Sequence, residues 1–151
     1  MKQEDKELLL KDLCGRLPYR VVCQCDRIKA QGVLKEMGMN YNMCRLYDSS
    51  TDEYEDCFIF DCRPYLFPLS SITEEQSREL FKLYGISLVD SIGADYIKIN
   101  ECNGITFFLN KGFDIETHLN KLIDWLNKKH FDYRGLVEKG LAINCTNLNI
   151  Y

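Results

Sequence analysis

The sequence predicts an α+β fold in one compact domain: a mainly antiparallel sheet of about five strands, with an N-terminal helix, a middle helix and one or two C-terminal helices. Three observations carry that expectation. Strand-like segments follow one another in hairpins instead of alternating with helices. Thr73 to Gln76 has the form of a capping box, a hydroxyl at the N-cap and a Gln three residues on. Ile115, Leu119, Leu122, Ile123 and Leu126 recur at three and four residues, the period of an amphipathic helix.

Taken in order, Lys6 to Cys14 places Leu9, Leu10 and Leu13 on one helical face, and Gly15 offers the stop. Tyr19 to Asp26 alternates, with Val21, Cys23 and Cys25 on one side, as a half-buried strand requires. Strands are expected over Gly32–Met37, Tyr41–Tyr47 and Glu55–Asp61, with the polar stretch after Asp48 as a solvated hairpin tip. The capping box opens a helix to Tyr84, and Ser87 to Gly93 is ambiguous. Tyr96–Asn100 and Ile105–Leu109 read as a hairpin about Asn103-Gly104, a pair suited to positive φ. A helix from Asp114 to Lys129 follows, then a short one from Asp132 through Leu141. Residues 1–145 are expected to form the domain and 146–151 a loose tail.

The 151 residues are 46% hydrophobic and 28% charged, enough chain to withdraw roughly two-thirds of its unfolded surface from water. Disordered and fibrous classes are excluded. A formal charge of -4 argues against a broad phosphate-binding footprint, so a nucleic-acid partner is not expected. No apolar run approaches the ~18 residues of a spanning helix, and Met1 to Lys11 lacks the apolar core of a signal peptide. A cytoplasmic protein with no membrane partner is the expectation. In a reducing compartment the eight cysteines (Cys14, Cys23, Cys25, Cys44, Cys57, Cys62, Cys102 and Cys145) should be thiols, mostly small buried apolar groups.

Signatures of strong chemistry are absent from the sequence. There is no phosphate-cradling glycine loop, and the acids from Asp48 to Asp56 lack the glycine and terminal Glu of a calcium loop, so no cofactor is expected. Cys23 and Cys25 project from the same strand face, and Cys57 and Cys62 end another strand, so these four sulfurs would hold zinc if the strands were neighbours. Against that, the odd spacing of Cys57 and Cys62 puts them on opposite faces of a continuous strand, and Cys-X2-Cys knuckles are missing. His118 and His130 are the only imidazoles, and a Cys/His hydrolase would need one of them selected against one thiol, which nothing in the spacing does.

What stands out is Arg beside Tyr at turn-forming residues: Arg16 and Tyr19, Arg63 and Tyr65, Tyr133 and Arg134. A guanidinium offers a planar fork for phosphate or carboxylate, and a phenol supplies rigid area with a polar tip. Gathered on one face, these six side chains would grip a nucleotide-like anion or a protein. The alternative is that each Tyr plugs the core edge and each Arg pairs with a local acid such as Asp61 or Asp132.

Through Glu7–Tyr19, Arg63–Glu75 and His130–Ala142 the chain resembles an uncharacterised family of small proteins encoded by phages and mobile elements of gut Bacteroidales. The resemblance implies an intracellular accessory protein and names no activity. The leading expectation is therefore a non-enzymatic binding protein that engages a host protein or sequesters a small anionic ligand, with countering host defence as its purpose. The second is a zinc-stabilised nucleic-acid accessory domain on Cys23, Cys25, Cys57 and Cys62; the third is a Cys/His hydrolase.

Overall fold

The computed structural model describes residues 1–38, 42–84, 96–99, 105–108 and 115–151, without the side chains of 81, 84, 96–99, 105–108 and 115–118. Its elements are α1 (Gln3–Arg16), β1 (Val22–Cys25), β2 (Ala30–Gly38), β3 (Met43–Asp48), β4 (Glu53–Phe58), β5 (Cys62–Pro68), α2 (Glu74–Tyr84), β6 (Tyr96–Ile99), β7 (Ile105–Phe108), α3 (Ile115–Lys128), β8 (Phe131–Asp132) and β9 (Ile143–Asn144). This is the expected α+β class with a mainly antiparallel sheet and N-terminal, middle and C-terminal helices. None of the described helices is long and apolar enough to cross a membrane. The chain forms two compact units, one of residues 1–67 with 134–151 and one of residues 68–133.

In the first unit α1 runs through Gly15, the expected stop, and ends only where Leu17–Tyr19 tightens into a 3-10 turn around Pro18 and Arg20 reverses the chain at φ 59°. Leu9 and Leu13 on its inner face are fully buried. The sheet runs in the order β4-β3-β2-β1-β5, each pair antiparallel, and β9 lies parallel to β5.

That order forces the sheet to roll up. In a flat sheet β4 and β5 would stand four strand spacings apart, roughly 19 Å. The chain passes from Phe58 to Cys62 through the 3-10 turn Ile59–Asp61, a link that reaches at most about 14 Å even when extended. The turn is pinned on both sides, Ile59 N–H donating to Asn42 O at 2.8 Å and Asp26 N–H to Asp61 O at 3.0 Å. A bulge between Leu34 and Glu36 bends β2. Gly32 lets β3 pass close, since a Cβ there would lie 2.6 Å from Tyr47 O. The result is a small barrel-like curl filled by Val21, Cys23, Cys25, Leu34, Cys44, Leu46, Cys57, Ile59, Cys62 and Leu66, with Leu9 and Leu13 packed in the same core.

The acidic stretch after Asp48 is the β3–β4 hairpin tip, where Asp48 accepts from Ser50 N–H at 2.8 Å and Tyr47 donates to Asp52 at 2.7 Å. At the other end of the chain, where the sequence predicts a loose tail, the Tyr151 hydroxyl donates to Tyr65 O at 2.7 Å and accepts from Val22 N–H at 3.3 Å.

In the second unit the capping box is formed reciprocally, Thr73 N–H donating to Gln76 Oε1 at 2.9 Å and Gln76 N–H to Thr73 Oγ1 at 3.3 Å. Leu80 on α2 and Leu122, Trp125 and Leu126 on α3 are buried; Trp125 stacks on Phe131 with ring centroids 5.6 Å apart, and Lys129 pairs with Glu79 at 2.8 Å. The expected pairing of β6 with β7 is formed, antiparallel with Tyr96 opposite Phe108. Its turn at Asn103-Gly104, the segment Ser87–Gly93 and the Asp114 cap lie outside the described residues. The closing helix expected from Asp132 through Leu141 is not formed: the segment is a run of turns, because Gly135 and Gly140 both take φ 69°, outside the helical region.

Candidate metal centre

Four buried thiols converge inside the barrel, and the register explains how. Cys25 on β1 stands directly opposite Cys62 on β5, and Cys44 on β3 directly opposite Cys57 on β4. Each pair is cross-strand, and curling the sheet brings the pairs against each other. The sulfurs of Cys25, Cys57 and Cys62 all lie within 4.8 Å of one another, and Cys44 Sγ is 3.4 Å from Cys62 Sγ. An ion held by four thiolates at about 2.3 Å sets its sulfurs about 3.8 Å apart; Cys25, Cys57 and Cys62 stand near that spacing, while Cys44 touches Cys62 but lies outside the mutual 4.8 Å group and must swing towards the other two to complete the set.

The odd separation of Cys57 and Cys62, which placed them on opposite faces of one strand, is corrected by the turn between them: Ile59–Asp61 breaks the alternation, and both side chains face inward. Cys23, expected as a ligand, is fully buried on the same face as Cys25 but one pleat further along, opposite Gly32, and outside the close trio. Cys44 takes its place. The alternation of β3, which turns Cys44 and Leu46 inward together, is the signal that could have found it.

The electrostatics of the pocket are those of a protonated thiol cluster. Burial pushes Cys57 up to about 12 and holds Cys23 well above its ordinary value. The sulfur–sulfur contact with Cys44, reinforced by burial, raises Cys62, and the same contact lowers Cys44. A metal must therefore displace protons to bind here, and its charge would supply the compensation that the apolar surroundings do not. A cavity of about 240 Å³ opens onto this cluster, lined by Cys25, Arg27, Ile28, Met43, Asp56, Cys57 and Phe58.

The Arg/Tyr residues do not form one accessible face. Arg16 is fully buried and pairs with Asp12, Nε to Oδ2 at 2.6 Å and Nη2 to Oδ1 at 3.1 Å. Arg134 reaches the same carboxylate at 3.2 Å, so the structure brings these two guanidiniums together around one interior acid. Arg63 is elsewhere, gripping Asp26 through two nitrogens at 2.7 Å each. The acids in these pairs are Asp12 and Asp26. Tyr65 is buried with its hydroxyl 2.8 Å from Gln24 Oε1, Tyr19 is half-buried in the turn after α1, and Tyr133, also half-buried, belongs to the second unit.

Of the remaining groups, Cys145 is buried near the end of the chain, Cys14 is exposed, and Cys102 lies outside the described residues. His130 is buried at the end of α3, and of His118 only the backbone is described. Comparison of the chain with family models, curated proteins and solved structures finds no match.

Proposed function

We propose that this chain is a non-enzymatic accessory protein whose first unit is closed by a zinc ion held by Cys25, Cys44, Cys57 and Cys62. The observation that carries the reading is the convergence of two cross-strand cysteine pairs, from four strands of which β3 and β5 are not neighbours. Thiols alone gain little from such convergence in an interior, where Ala, Val or Leu would pack as well. A tetrathiolate site instead ties β4 and β5 to β1 and β3 between them and contributes folding energy outright. Soft sulfur donors converging on a point favour zinc over the oxygen-seeking cations. Zinc with no open coordination position is structural, which fits the non-enzymatic reading. A hydrolase would need a thiol lowered by an imidazole; among the described thiols the lowered one, Cys44, owes its shift to Cys62. The anion-gripping reading loses its support, because Arg16, Arg63 and Arg134 already face carboxylates.

The test is elemental analysis of protein purified without chelators and reconstituted with zinc under reducing conditions, followed by thermal unfolding with and without a strong chelator. One zinc per chain and a lowered unfolding midpoint on chelation are expected. Protein that takes up no zinc and melts identically under both conditions overturns the proposal.

A further inference from the structure

The four thiols are not equivalent. Cys25 and Cys57 line the 240 Å³ cavity, whereas neither Cys44 nor Cys62 is among its lining residues. The cavity mouth carries Ile28 and Phe58, which are 44% and 43% exposed, and the Arg27 guanidinium lies 5.0 Å from the Phe58 ring centroid. A cavity of this volume, lined by apolar and sulfur groups with Arg27 and Asp56 beside them, admits a small uncharged molecule and holds back bulky ones.

Building on the zinc reading, we infer that the site is a peroxide-responsive zinc clasp in which a hydroperoxide entering beside Phe58 oxidises Cys25 and Cys57 and releases the ion. One thiolate attacks the peroxide and breaks its O–O bond, giving a sulfenic acid and, after taking up a proton, water or an alcohol. The second thiolate attacks that sulfenic sulfur, forming the Cys25–Cys57 disulfide and expelling hydroxide, which a second proton converts to water. Two electrons pass from sulfur to the peroxide. Two thiolates are lost from the ion, and the remaining pair, Cys44 and Cys62, holds zinc too weakly to retain it against competing ligands. A reductant with fresh zinc restores the site.

The choice of pair is what the geometry decides. Register alone favours linking Cys25 to Cys62 or Cys44 to Cys57, and sulfur–sulfur distance alone favours Cys44 with Cys62 at 3.4 Å. Access selects Cys25 with Cys57.

Zinc-loaded full-length protein with Cys14→Ser, which removes the one exposed thiol among the described residues, and Cys102→Ser is treated with substoichiometric hydrogen peroxide. Released zinc is followed with a chromogenic chelator, and disulfides are mapped by mass spectrometry after alkylation. Zinc should leave in step with the Cys25–Cys57 link, and Phe58→Ala should accelerate both several-fold, with Arg27→Ala as a second variant acting in the same direction. A first link of any other pairing, zinc retained throughout, or indifference to both variants overturns this inference while leaving the zinc reading standing. Protein that takes up no zinc at all overturns both.

Discussion

Cys44 and Cys62 touch through their sulfurs at 3.4 Å although the strands that carry them are separated in the sheet by two others. In a flat sheet those strands would be roughly 14 Å apart. The contact is thus a direct measure of how far the sheet has rolled, and it converts cysteines spread over thirty-odd residues of sequence into one site.

The fourth ligand can be decided by substitution. Cys44→Ala should abolish stoichiometric zinc uptake, whereas Cys23→Ala should keep one zinc per chain, because Cys44 Sγ touches Cys62 Sγ at 3.4 Å while Cys23 stands one pleat away, opposite Gly32. Both substitutions remove one buried sulfur from the same core, so both lower stability by a similar cavity cost, on the order of 1 kcal/mol. Zinc stoichiometry by elemental analysis then separates ligation from packing. Retention of zinc by Cys44→Ala would show that the site closes through another residue.

The response to pH should change sign with the metal. Without zinc, Cys57 is held up at about 12 and Cys145 at about 11 by burial, while thiols of the unfolded chain ionise near 9.0. Their contribution is complete below pH 9, where both states keep their protons. It is lost as pH rises from 9 towards 12, where only the unfolded chain releases them. Metal-free protein should therefore melt progressively lower above pH 9. With zinc the folded state holds thiolates and the unfolded state holds protons, so stability should instead fall on acidification. Thermal unfolding across pH with and without zinc checks both slopes; parallel curves would contradict four-thiolate ligation.

The helices and hairpins were legible because their signals are local: Thr73 and Gln76 bond each other within one turn, and α3 carries its period within its own length. Three of the four cluster thiols, Cys25, Cys57 and Cys62, are among the sequence's candidates: Cys25 through the alternation of its strand, Cys57 and Cys62 through their place at a strand end, although their odd spacing counts against them. Cys44 is not among those candidates, because which strands share an interior depends on barrel closure, a property of Ile59–Asp61 and the β2 bulge together rather than of any one strand. The Arg/Tyr pattern misled for the opposite reason. Asp12 precedes Arg16 by one helical turn, a spacing that pairs them along α1 and was visible in the sequence. Turn residues beside arginine drew attention outward while the nearer partner lay behind.

The two classes of arginine pair should differ sharply in stability. Arg63 and Asp26 are 37% and 46% exposed, so Arg63→Ala should cost within about 1 kcal/mol. Asp12 is fully buried with both Arg16 and Arg134 upon it, and Asp12→Asn would leave guanidiniums facing a neutral amide in the interior. Removing one partner of a buried pair costs about 3–5 kcal/mol, a large part of a small domain's stability. Denaturant unfolding of the two variants checks the contrast; similar losses would show that the Asp12 site is open to water.

Gly32 is where β3 passes closest over β2 among the described glycines. A Cβ there would meet Tyr47 O at 2.6 Å and Tyr47 C at 2.8 Å, backbone atoms of the neighbouring strand that cannot turn aside as a side chain could. Gly32→Ala must push β3 away from β2, and β3 carries Cys44 into the cluster. The substitution should cost about 1–3 kcal/mol from overpacking and should also weaken zinc retention, a second readout that a purely local strain would not move. Zinc competition against a chelator of known affinity, run beside thermal unfolding of the same variant, separates the two. A variant that loses stability yet holds zinc as the parent does would mean that the curl and the metal site are mechanically independent.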